Sequence, residues 1–168
     1  MDNAERRMTT GRQIVEPLED ENYVNINGFV IPKGNTLLEK KHREQVIFEM
    51  YRIWCEENPS KKRRNIHLKS EIEVTADSIQ ETKLHSANNY KSALAFYYLD
   101  FILKNAKQVK KDTPQSNRQH KLVKGGYMLE MKLDNFDFPY FKEVKLMVGV
   151  RRNTDKIMYS ITAIKVNE

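Results

Sequence analysis

An α+β fold, with helices packed on one face of a mainly antiparallel sheet, is what the sequence predicts, and three observations carry it. The last third of the chain holds three runs in which apolar residues alternate at period two, Tyr127–Leu133, Glu143–Arg151 and Lys156–Val166. Two stretches upstream carry apolar residues at helical spacing. No run approaches the ~18 apolar residues of a membrane span.

Composition sets the outer bounds. The chain has 168 residues, 39% apolar and 31% charged, enough for one modest core. The mean hydropathy of −0.72 argues against a membrane protein. Lys and Arg number 29 against 23 Asp and Glu, a formal charge of +6, which suits an anionic partner without requiring one. The single cysteine, Cys55, excludes an internal disulfide framework and a cysteine-based zinc cluster. The first 17 residues lack the hydrophobic stretch of a signal peptide, so a soluble, cytoplasmic protein is expected.

Residues 1–22 mix charges with little apolar pattern and read as a flexible N-terminal arm. A single domain over 23–168 follows, with 23–65 a hairpin-plus-helix addition and 66–168 a helix-and-sheet core. Asn27-Gly28 between two short β-prone runs signals a hairpin over Tyr23–Ile31, because both residues tolerate the positive φ of a type I′ turn. Asn35 or Thr36 can cap a helix that Asn58-Pro59 stops. Its apolar stripe is read as Leu38, His42, Val46, Met50 and Trp54, widened by Phe48, Tyr51 and Ile53, with His42 packed. Lys61–Arg64 reads as a basic loop, and Ile66–Val74 as a strand with Ile66, Leu68, Ile72 and Val74 on one face. A second helix is expected from about Ala87 to Lys107, with Ser86 as its cap. Val109–Gly126 is rich in polar and helix-breaking residues and reads as a long loop.

Alternation assigns the faces of the last three strands. Tyr127, Leu129, Met131, Leu133, Val144, Leu146, Val148, Val150, Tyr159, Ile161 and Ala163 form an apolar face that should meet the second helix. The opposite face collects Glu130, Lys132, Lys145, Met147, Arg151, Ser160 and Thr162. A carboxylate with cations and hydroxyls can hold a phosphodiester, the carboxylate acting as base and the cations steadying charge on phosphoryl oxygens. The same set is also what a solvated face with cross-strand ion pairs looks like.

His85, expected just before the second helix, can exchange protons near neutral pH, and His120 in the long loop is a further candidate. No two histidines have the i, i+4 spacing of a helical metal site, and no EF-hand or P-loop pattern occurs, so neither a metal nor a cofactor is expected. Two basic stretches offer contacts to nucleic acid: Lys61–Lys69, and Lys104–Lys124 with seven cations against one acid, Asp112.

From about Met50 onward the chain resembles small proteins of Bacteroidetes mobile elements. The likeness lies in Met50-Tyr-Arg-Ile-Trp-Cys-Glu-Glu-Asn-Pro59, Glu81-Thr-Lys-Leu-His-Ser-Ala87, Leu99-Asp-Phe-Ile-Leu-Lys-Asn-Ala106, Lys145-Leu-Met-Val-Gly-Val150 and Tyr159-Ser-Ile-Thr-Ala-Ile164. The order of these segments also resembles a domain of large polyvalent phage and plasmid proteins grouped with the barnase–EndoU–colicin–RelE-like nucleases. That resemblance implies a barnase/RelE-like fold and a metal-independent ribonuclease site, with His85 at the family's helix-start histidine and Thr162 or Ser160 as the hydroxyl of the last strand. The functional expectation is an RNA-directed protein of a mobile element that contacts RNA through its basic loops. A catalytic form would use His85, Glu130, Arg151 and Thr162, with Lys83, Lys132, Lys145, Ser160 and His120 binding substrate. The alternative is an accessory factor that holds a protein partner and catalyses nothing.

Overall fold

A computed structural model describes residues 17–111, 127–133, 142–153 and 156–167. The described chain is α+β: a small three-stranded sheet, four helices and a six-stranded mixed sheet.

The small sheet forms from β1 (Leu18–Glu19), β2 (Tyr23–Ile26) and β3 (Phe29–Pro32), all antiparallel. Asn27 and Gly28 take φ of 48° and 89°, the left-handed values the hairpin turn demands. β1 lies within the stretch read as a flexible arm and pairs with β2 through Leu18 and Glu19.

Helix α1 (Leu37–Glu57) starts where expected. The Thr36 hydroxyl accepts from Glu39 N and donates to the Glu39 carboxylate, a reciprocal N-terminal cap. The buried face differs from the expected stripe: Arg43, Val46, Ile47, Met50, Tyr51, Ile53 and Trp54 are buried, whereas Leu38, His42 and Phe48 are exposed. Arg43 takes the inward position expected of His42 because its guanidinium can donate to three backbone carbonyls. It donates to Ala87 O at 2.7 Å, Pro32 O at 2.8 Å and Gly34 O at 2.6 Å, tying the hairpin and α1 to the chain beyond residue 86.

The basic run after α1 is a strand. β4 (Lys62–Asn65) pairs antiparallel with β5 (Ser70–Glu73), and residues 66–69 form the turn between them. This corrects the loop over Lys61–Arg64 and shortens the strand expected over Ile66–Val74 to Ser70–Glu73, with Ile72 and Val74 buried as expected. The Asn65 side-chain oxygen Oδ1 accepts from His67 N and Leu68 N, and Lys69 adopts φ 56°; that local bonding outweighs the period-two pattern and leaves Ile66 56% exposed.

Helix α2 (Ala76–Ser86), capped by Thr75, occupies a stretch given no element by the sequence reading. Its inward positions are Ser78, Ile79, Thr82 and Ser86, so no apolar stripe announces it. His85 consequently lies in the last turn of α2, and Ser86 ends that helix instead of capping the next. The expected long helix is broken into α3 (Tyr90–Ala95, capped by Asn89), a 3₁₀ turn (Phe96–Tyr98) and α4 (Leu99–Asn105). Every residue from Ser92 to Asp100 is buried, so packing on all sides overrides simple amphipathic spacing.

β6 (Lys107–Lys111) is a strand that runs from the end of the expected helix into the expected loop, whose remainder lies outside the described residues. β7 (Tyr127–Leu133), β8 (Glu143–Asn153) and β9 (Lys156–Asn167) match the three expected strands and pair antiparallel. The sheet order is β4-β5-β9-β8-β7-β6, with β5 and β9 its one parallel pair. β5 covers β9 only as far as Ser160. Beyond it the bare edge is met by serines: Ser86 Oγ donates to Ile164 O and accepts from Ile164 N, and Ser92 Oγ accepts from Val166 N.

One feature of β9 changes the face assignment. Met147 pairs with Ala163, but Val148 pairs with Ile161, so Thr162 is the extra residue of a β-bulge. Past the bulge, Ile164 and Val166 join Leu146 and Val144 on the apolar face, and Ala163 and Lys165 turn to the polar face. Ala163 is thereby moved from its expected side. The apolar face shares one hydrophobic cluster with Trp54 of α1, Phe29 of β3 and Leu94 to Leu103 of α3 and α4.

Candidate nucleic-acid interface

Of the first basic run, two cations serve the fold. Lys62 pairs with Glu73 at 3.2 Å, and Arg63 grips the buried Asp100 carboxylate with Nε–Oδ1 at 2.7 Å and Nη2–Oδ2 at 2.8 Å. Asp100 also accepts from Trp54 Nε1, so α1, β4 and α4 meet on this carboxylate. Arg64 points to the other side of β4, exposed and without an ion pair among the described residues, although Glu71 stands opposite it in register.

The turn after Arg64 is clamped to the end of α4. Asn65 Nδ2 donates to Leu103 O at 2.8 Å and Ala106 O at 2.9 Å, and Ile66 N donates to Lys104 O at 2.9 Å. The two basic stretches of the sequence are thus joined through the backbone: the hairpin that carries Arg64, His67 and Lys69 is tied at Asn65 and Ile66 to the end of α4, which carries Lys104 and leads into Lys107 of β6. All except the half-buried Lys104 are exposed. Cations at a helix C-terminus also complement the helix dipole, so Lys104 has a structural reason to be there as well.

The polar face of β7–β9 carries Glu130, Lys132, Glu143, Lys145 and Arg151, all half-buried. Lys145 lies 3.3 Å from Glu130, and Lys132 lies 3.6 Å from Glu143 and 4.0 Å from Glu130. Glu130 stands opposite Met147, four residues from Arg151 along β8, so about 13 Å of strand separates them. Met128, Ser160 and Ala163 on this face are buried, and Met147 and Met158 beside them are half-buried. Ser160 stands opposite Gly149. Thr162, 1% exposed, donates its hydroxyl to Met147 O at the bulge.

His85 is exposed in α2, and its imidazole makes no hydrogen bond among the described residues. It is one residue from Ser86 and therefore beside the β9 edge. Lys83 sits elsewhere, with Nζ 5.9 Å from the centre of the Phe48 ring. There it lines a shallow groove of about 480 Å³ between α1 and α2, with Lys41, Glu44 and Gln80. His120 lies outside the described residues. Among the described residues, no group of three His, Cys, Asp or Glu side chains is arranged to hold a metal ion, and no helix is long and apolar enough to cross a membrane.

Two members of the site are not evident from the sequence pattern: Asn65 as the joining residue and Lys165 on the polar face. An Asn opening the short run Ile66-His-Leu-Lys69 is a turn signal that could have exposed the first; nothing in the alternation of β9 announces the bulge that delivers the second. No protein-family model, curated protein or solved structure matches the chain.

Proposed function

We propose that this is an RNA-directed protein that holds the phosphodiester backbone on the basic patch between the β4–β5 turn and the end of α4. The single observation that carries the reading is the convergence of two basic stretches, some 40 residues apart in sequence, through Asn65 and the Ile66–Lys104 backbone bond. Cations gathered this way displace condensed counterions from a polyanion and give affinity without sequence choice. The resemblance described above extends the proposal: a core with helices on one face of a barnase/RelE-like sheet, in a cytoplasmic protein of a mobile genetic element.

The test is titration of labelled RNA with the protein at several salt concentrations. Affinity should fall steeply with salt, and Arg64→Gln/Lys69→Gln should weaken binding and flatten the salt slope by about 1.4, roughly 0.7 per cation on a single strand. Binding indifferent to salt, or untouched by that double substitution, would remove the patch as the interface.

Cleavage is the second reading, favoured by the half-buried Glu130 held between Lys132 and Lys145 on the face that also carries Arg151. In that mechanism Glu130 takes the 2′-hydroxyl proton, the 2′-oxygen attacks the adjacent phosphorus, and His85 protonates the departing 5′-oxygen; Lys145 and Lys132 steady the phosphoryl charge. Incubation with mixed RNA in EDTA separates the readings. Cleavage lost in both Glu130→Gln and His85→Ala supports a ribonuclease, and binding without cleavage by the parent protein leaves the RNA-holding role alone.

A further inference from the structure

We propose that Lys107, Lys132, Lys145 and Lys165 form a track for the backbone of single-stranded RNA across β6, β7, β8 and β9. The inference rests on the RNA-directed reading above and adds the path the strand takes.

Register places these four residues in one line. Lys107 stands opposite Lys132, Lys132 opposite Lys145, and Lys145 opposite Lys165. Three strand spacings make the row about 14 Å long. Like charges directly across a strand pair destabilise a sheet, so three consecutive like-charged pairs are a cost that isolated folding does not reward.

Two details of the fold maintain the row. The β9 bulge at Thr162 turns Lys165 onto this face; unbroken alternation would put it with Tyr159 and Ile161 on the apolar side. Glu130 and Glu143 flank the two central lysines, at 3.3 Å from Lys145 and 3.6 Å from Lys132, which limits the repulsion. The outer lysines, Lys107 and Lys165, are exposed and have no ion pair among the described residues.

The geometry also selects the ligand. The carboxylates lie on both sides of the row, Glu143 beyond Lys145 in one direction along the strands and Glu130 beyond Lys132 in the other. The positive strip is therefore one residue wide, matched to a single backbone, and a second strand alongside would meet carboxylates. Lysine ammoniums contact phosphate as point charges and read no base, so the track is indifferent to sequence. Its near end, Lys107, follows Ala106, whose carbonyl accepts from Asn65, so the track continues directly from the basic patch.

The experiment is fluorescence anisotropy with a labelled single-stranded RNA oligonucleotide and its duplex, titrated with the full chain at several salt concentrations. Lys165→Gln should weaken single-strand binding about fivefold at 0.1 M salt and flatten the salt slope by about 0.7, and Lys165→Arg should stay within about twofold of the parent. Lys165→Gln should also leave the thermal midpoint unchanged or raised, because it relieves repulsion, and Lys132→Gln repeats the test from inside the row. If both glutamine variants match the parent in affinity and slope while Arg64→Gln/Lys69→Gln weakens binding, the track is overturned and the patch survives. A parent protein that binds no RNA overturns both, and a duplex bound as tightly as the single strand overturns the single-strand assignment.

Discussion

Removing Arg63 should destabilise the protein more than neutralising its partner. Asp100 is 2% exposed and Arg63 32%, and Trp54 Nε1 is the other donor to the carboxylate. In Arg63→Ala a buried carboxylate keeps only the indole N–H, and stranding a buried charge costs about 3–5 kcal/mol. In Asp100→Asn the amide oxygen still accepts from Trp54, and the third-exposed guanidinium can turn to water, so the loss is that of charge-assisted hydrogen bonds, about 1–3 kcal/mol. At about 2–4 °C per kcal/mol for a chain of this size, Arg63→Ala should lower Tm by roughly 6–20 °C. Arg63→Met/Asp100→Leu removes both charges and should recover a large part of the Arg63→Ala loss. The assay is urea unfolding followed by the emission of Trp54, the only tryptophan, whose ring touches the carboxylate in question. Two single variants of equal stability, or both within about 1 kcal/mol of the parent, would refute the idea that this carboxylate fastens β4 to the helices.

Three other outcomes follow from the same structure. Ser86→Ala strips Ile164 N and O of their partner at the bare edge of β9, so it should cost about 1–3 kcal/mol and speed amide exchange at Ile164, read by hydrogen exchange. Asn65→Ala removes the clamp between the β4–β5 turn and α4, and should weaken RNA binding although it deletes no charge; comparing its affinity with that of Arg64→Gln checks this. Burial holds the hydroxyls of Tyr51 and Tyr159 above the ordinary phenol range, with Cys55 beside the first and Tyr127 beside the second adding to the shift. Their folded values exceed the unfolded ones, so the stabilisation is complete below about pH 10 and is lost as pH rises through the folded values. Ultraviolet titration should therefore show Tyr51 and Tyr159 ionising late, together with alkaline unfolding; ordinary ionisation of both would contradict it.

Strong local signals translated directly into structure. Asn27-Gly28 makes its turn, Thr36 and Asn58 bound α1, and the three alternating runs become β7, β8 and β9. What escaped has physical causes. α2 buries Ser78, Thr82 and Ser86, so its inner face carries almost no apolar signal. Arg43 occupies a core position because three carbonyls from two distant segments converge on it, a condition that only tertiary contacts create. The bulge at Thr162 shifts the alternation of β9 by one residue, and with it the placement of Ala163 and Lys165. The candidate interface was legible as composition, in the form of two basic stretches, and illegible as geometry, because Asn65 joins them across 38 and 41 residues of sequence.

Ultraviolet cross-linking of the full chain to radiolabelled RNA, followed by mass spectrometry of the attached peptides, examines the basic surface most directly. Adducts should concentrate on the peptides that contain Arg64 to Lys69 and Lys104 to Lys107, and should vanish as salt is raised. Adducts confined to the α1–α2 groove around Phe48, or none at low salt, would contradict an RNA-holding role for this surface.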